Sequence, residues 1–102
     1  MEKTIIHISS DLEPLIPRYL ENRRADIATL NEALQTNNIE AIKSIGHTIK
    51  GSGASYGLEE ISTIGHILED AAKSSNIVQI QTSIARLKHF LETLEIIFVE
   101  DL

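Results

Sequence analysis

A chain of 102 residues with nine Lys and Arg against fifteen Asp and Glu, a net charge of −6 and no cysteine has room for one modest core and no means to build a disulfide, a thiolate metal site or a cysteine nucleophile. Its acidic balance excludes the concentrated basic surface that nucleic-acid phosphates require. No run of about 18 apolar residues points to a membrane span, and no basic, apolar leader precedes a cleavage site, so the cytoplasm is the expected compartment.

The whole chain, 1–102, is expected to be a single domain. Residues 1 to about 10 contain the β-branched run Thr4-Ile5-Ile6 and predict an extended arm. Asp11 is placed to cap a helix over about 11–36, although Pro17 moves its continuous part to near Ile16. Ile16, Tyr19, Leu20, Ile27, Leu30 and Leu34 recur at helical spacing along it. Asn37, three residues before Glu40, has the pattern of a capping box and opens a second helix over about 38–56, with Ile42, Ile45, Ile49 and Tyr56 on one face and Gly57 ending it. Leu58, Ile61, Ile64, Leu68 and Ala72 mark a third helix over about 58–74. Asn76 with Gln79 caps a fourth over about 77–99, with Ile77, Ile80, Ile84, Leu87, Leu91, Leu94 and Phe98 inward. The connections after the first helix are short, which favours antiparallel neighbours. The expected fold is therefore all-α, an antiparallel up-down-up-down four-helix bundle with a short N-terminal arm. Four apolar stripes that cover one another predict a monomer. Met1 and a helix running close to the C-terminus fit a stand-alone protein.

Four of the five glycines fall between Gly46 and Gly57. Gly46, Gly51 and Gly53 inside an amphipathic helix cost roughly 2–3 kcal/mol together, which calls for a reason. At about 100° per residue, with Ile42 at zero, Ile45 falls near −60°, Ile49 near −20° and Gly53 near +20°. Gly46 and Gly53 thus face inward and let a neighbouring helix approach. His47 falls near +140°, opposite the apolar stripe, with Lys43, Ser44, Lys50 and Gly51 one turn away. Gly51 leaves the wall open beside the ring. A lysine at ~4 Å attracts a unit of phosphoryl charge by about 1 kcal/mol in water, enough to bias a site toward a dianion.

His47-Thr48-Ile49-Lys50-Gly51-Ser52-Gly53, followed by Gly57, resembles the signature of histidine phosphotransfer (HPt) domains, His-x-Leu-Lys-Gly-Ser-Ser with a glycine a few residues on. Ile49 and Gly53 depart from it conservatively. The resemblance implies that His47 is the phosphoacceptor, that Lys50 stabilises the phosphoryl group and that Gly51 gives a docking partner access, with Lys43, Ser44 and Ala54 on the flanking docking surface. It also implies receiver domains, and a hybrid sensor kinase, as partners, and Mg²⁺ supplied by the receiver rather than by any cofactor of the chain's own. Without a nucleotide-binding glycine loop, the chain is expected to be a phosphocarrier and not a kinase. The competing reading is a helical module that binds receivers or kinases without transferring phosphate.

His66 and His89 also fall opposite their apolar stripes. Glu69 and Asp70 follow His66 and would repel a phosphoryl group, and His89 lacks an adjacent glycine, so both are expected to be solvated surface histidines. Glu59-Glu60 and Glu69-Asp70 are expected to be helix-surface charge. A di-iron bundle needs inward Glu-x-x-His pairs on two helices, and that spacing does not occur, so no metal ligands are assigned.

Overall fold

The structure is a computed structural model and describes residues 2–100. Four helices form an all-α core. They are α1 (Ile16–Gln35), α2 (Ile39–Ser52), α3 (Glu59–Lys73) and α4 (Ile77–Thr93). Each packs on its neighbours in chain order, and α1 closes the ring on α4, the up-down-up-down arrangement that short connections favour.

The helix ends follow local chemistry, with several departures from the sequence reading. Ser9, not Asp11, accepts from the Asp11 N–H at 3.2 Å, and Ser10–Leu15 form a 3₁₀ segment containing Pro14 before α1 begins at Ile16. Pro17 then sits in the first turn of α1, where its missing N–H has no helical partner to lose. The cap of α2 is Asn38 rather than Asn37. Its Oδ1 accepts from the Ala41 N–H at 3.1 Å, while Asn37 takes a left-handed φ of 56° in the turn. At α4, Asn76 Oδ1 accepts from the Gln79 N–H at 3.1 Å as expected. The α2 helix stops at Ser52, and a 3₁₀ turn, Gly53–Tyr56, carries the chain to Gly57 at φ 78°. Tyr56 is therefore not on the α2 stripe. Its ring stacks on that of Tyr19 at 4.2 Å, while the Tyr19 hydroxyl lies 2.9 Å from Ser52 Oγ.

The largest departure is at the two ends of the chain. The arm is a strand, β1 (Thr4–Ser9), and the last turns expected of the fourth helix are a second strand, β2 (Leu94–Val99). They pair in parallel from Thr4↔Leu94 to Ser9↔Val99. Leu94 and Phe98 still pack against the core, but from a sheet, and Ile77 is exposed rather than inward. Ile8 is fully buried, its side chain lying 3.4 Å from where a Cβ on Gly57 would stand. The sheet thus closes the end of the bundle at which α2 and α4 finish and α1 and α3 start. Beneath it Ile16, Tyr19, Ile49, Leu58, Ile61, Leu87 and Phe90 form one core cluster. A second, around Leu30, Ile42, Leu68, Ala72, Ile80 and Ile84, fills the other half.

Candidate functional site

The site is built on the crossing of α2 and α3, where the two main chains meet at Gly46 and Gly65. A Cβ on Gly46 would stand 2.9 Å from the Glu69 main-chain nitrogen, and one on Gly65 would stand 2.8 Å from the Gly46 carbonyl oxygen and overlap the main chain at Lys50. Backbone against backbone at this distance brings the first atoms of a side chain on one helix beside the other. Glu69, on α3, is carried in this way under two side chains of α2.

His47 stands above it with 69% of its side chain exposed, whereas the Glu69 side chain is 7% exposed. His47 Nδ1 lies 2.9 Å from Glu69 Oε2, and Lys50 Nζ lies 2.8 Å from Glu69 Oε1. The two α2 residues, three apart, reach one carboxylate from adjacent positions on the helix face. The Lys50 contact, working against desolvation and aided by the His47 hydrogen bond and the charges of Lys50 and Lys73, holds the Glu69 carboxyl down at about 2. Glu69 is therefore a carboxylate at neutral pH. An ionised carboxylate only accepts hydrogen bonds, so His47 Nδ1 is the donor. In the neutral imidazole the lone pair is then on Nε2, on the opposite side of the ring from Glu69.

Lys43 and Ser44 share with His47, Thr48, Glu40 and Glu69 a surface groove of about 320 Å³. Gly51 is exposed, and a Cβ there would meet nothing within 4 Å. Ala54 lies apart from the groove, in the 3₁₀ turn, where its N–H donates to Ser62 Oγ at 2.7 Å. Gly53 is buried against the Ser62 main chain, the close inward approach its position predicts.

Two charge assignments need correction. Glu69 is not surface charge, and it does not belong to the surroundings of His66. Asp70 alone pairs with His66, Nε2 to Oδ2 at 3.4 Å, while Glu69 turns to His47. Lys50, in consequence, is not a free cation beside the imidazole but one half of an ion pair. Glu60, also expected as helix-surface charge, is half-exposed and pairs with Arg86 of α4 at 2.9 Å.

A family model described as Hpt domain matches residues 15–96. The chain belongs to the Hpt domain family. Searches of curated proteins and of solved structures gave no match. Membership gives the Hpt chain a phosphotransfer role in two-component signalling, in a family of phosphocarriers rather than kinases. Hpt domains interact with receiver domains and kinases. Among the described residues no helix is long and apolar enough to cross a membrane.

Proposed function

We propose that this Hpt domain is a phosphorelay intermediate in the cytoplasm, accepting a phosphoryl group on His47 from a receiver-domain aspartate, or from a sensor kinase, and passing it to the aspartate of another receiver. The observation that carries this reading is the exposed imidazole whose Nδ1–H is held by a buried carboxylate, leaving Nε2 as an outward nucleophile of fixed direction.

The chemistry follows from that tautomer. Nε2 attacks the phosphorus of the phosphoaspartate, the P–N bond forms as the acyl P–O bond breaks, and the aspartate leaves as carboxylate. No proton has to be removed from Nε2. The ring becomes a phosphorylated imidazolium, and its positive charge develops 2.9 Å from the Glu69 carboxylate that already holds Nδ1–H. Glu69 thus positions the ring and stabilises the cation, as a buried carboxylate does for a general-base histidine. Donation to the next receiver runs the same steps backwards. The transition state is loose, with charge on the equatorial oxygens, so alignment and cationic stabilisation carry the catalysis. Lys50 supplies the cation by turning from Glu69 toward the phosphoryl oxygens, and Lys43 adds charge at the groove. Gly51 leaves the surface flat where a receiver must approach, and Ser44 and Ala54 flank it. Mg²⁺ bound by the receiver would neutralise charge on the phosphoryl group, and the Hpt chain brings no cofactor of its own. We propose that it acts as a monomer, which light scattering at micromolar concentration tests.

The deciding experiment is transfer from a panel of phosphorylated receivers, read as acid-labile phosphate on the wild type and none on His47→Gln. Receivers that bind the wild type without ever labelling it would replace the carrier by a phosphorylation-independent binding module.

A further inference from the structure

The sheet has two strands and therefore two edges. In a parallel pair, half of the main-chain groups of each strand point away from the partner. Among the described residues, none of those on Thr4–Ile8 or Leu94–Val99 joins a main-chain hydrogen bond to a turn or loop outside the sheet, and Ser9 at the end of β1 caps the 3₁₀ segment. Edge strands are normally blunted by charge, proline or a bulge. β1 has no Lys, Arg, Asp, Glu or Pro between Thr4 and Ser9, and its register with β2 is unbroken.

The free side of β1 overhangs a groove of about 330 Å³. Thr4 and Ile6 line it from β1, Glu60 from α3, and Arg86, His89 and Phe90 from α4, with no contribution from β2. Ile6 and the buried Phe90 make an apolar floor. The rim is a donor surface. Arg86 directs Nε and one Nη at a single oxygen of Glu60, at 3.0 and 2.9 Å, so three of the five guanidinium N–H groups have no acceptor among the described residues. The His89 imidazole is exposed and has no hydrogen-bond or ion-pair partner among the described residues, the residue's one side-chain contact being the Thr93 hydroxyl that donates to its carbonyl. Glu60, the one acid of the groove, is already paired.

We propose that this groove takes an extended peptide segment of a partner protein, acidic and apolar by turns, which adds to β1 as a third strand. Main-chain hydrogen bonds to a bare edge supply affinity in this mode, and pockets for alternate side chains supply selectivity. Here the pocket seats an apolar side chain on Ile6 and Phe90, and the rim draws a carboxylate to Arg86 and His89. A second copy of the chain is the poorer occupant, since its β1 brings no carboxylate and two copies each carry −6. Glu60 and Glu69 are nine residues apart on α3, about 14 Å of helix rise. The former faces α4 and the latter α2, so a tail held at β1 leaves His47 free. Held there, it raises the local concentration of the domain it is tethered to.

The proposal is independent of the phosphotransfer reading. It is tested by titrating the full isotope-labelled chain with a capped hexapeptide alternating valine and glutamate. Amide shifts are expected to move at Thr4–Ile8 and Arg86–Phe90 and not around His47. Arg86→Glu should weaken binding roughly fivefold or more and favour the lysine version of the peptide, with phosphotransfer to His47 unchanged. His89→Glu provides the same reversal if Arg86→Glu fails to fold. Silence at millimolar peptide, shifts at another surface, binding indifferent to charge reversal, or a doubled mass without peptide with β1 amides protected would each overturn it.

Discussion

A carboxylate set beneath an exposed imidazole keeps its charge only if partners offset its burial, and Glu69 has two, a hydrogen bond to His47 Nδ1 and an ion pair with Lys50 Nζ. Its depressed pKa fixes the sign of the linkage. The native state holds the ionised form more strongly than the unfolded chain does, so the stabilisation is complete above the ordinary value of 4.5 and is lost as pH falls from there toward about 2. Thermal melts between pH 7 and 2 should show a step in that window for the wild type and a flatter profile for Glu69→Gln. For transfer, Glu69→Ala leaves the ring free to rotate and to take the other tautomer, and the rate from a phosphorylated receiver should fall about tenfold or more, with Glu69→Gln, which can still accept from Nδ1, falling less. His47, Lys50 and Gly51 are legible in the sequence because their motif is local. Glu69 is not. It follows Leu68 at the margin of the α3 stripe, and its partner lies 22 residues earlier on another helix. The one local sign is Gly65, one turn before it, which meets Gly46 of α2.

At the scale of the helix pair, the glycines have opposite roles. Gly46 and Gly65 hold the backbones of α2 and α3 together, while Gly51 occupies a helical position with open space around it. Gly46→Ala forces main chain apart at Glu69 and should cost about 1–3 kcal/mol, the usual range for overpacking. Gly51→Ala meets nothing and relieves a glycine in the last turn of α2, so it should add up to about 1 kcal/mol. Chemical denaturation of the two variants checks both signs. If the gap beside His47 exists for a docking receiver, Gly51→Ala gains stability and loses transfer rate together. Stability gained with transfer unchanged would remove Gly51 from the docking surface. The face count separated Gly46 and Gly53 from Gly51 correctly because all three lie within three turns, where helical periodicity accumulates little error. It could not reveal that Gly46 meets Gly65, since a crossing point depends on how two helices are rotated against each other.

In the whole molecule, the two chain ends make a lid for one end of the bundle. Leu91, Leu94 and Phe98 have helical spacing, which is why the fourth helix was expected to reach about 99. Yet Ile96-Ile97-Phe98-Val99 is a run of β-branched and aromatic residues that suits a strand equally well. What selects the strand is β1, ninety residues earlier at every rung of the ladder. No local pattern carries that pairing, and an isolated two-stranded sheet is marginal in water. Burial against the core is what holds it. Ile6 and Ile8 alternate inward with Ile5 and His7 outward, and Ile96 and Phe98 do the same on β2. The lid therefore depends on its inward face, and Ile8, with no exposed surface over the 3₁₀ turn and Gly57, is its anchor. Ile8→Ala should lower stability by about 2–5 kcal/mol and release both strands at once, since among the described residues neither pairs with another strand. Ile5→Ala, at a position 52% exposed on the same strand, should stay within about 0.5 kcal/mol of the wild type. Amide exchange distinguishes a lid from an integral layer. If Ile8→Ala speeds exchange in Thr4–Ser9 and Leu94–Val99 while the centres of α2 and α3 remain protected, the sheet opens as a unit over an intact α2–α3 crossing. Uniform loss of protection would instead make the strands part of the cooperative core, and the His47 face would depend on the chain ends.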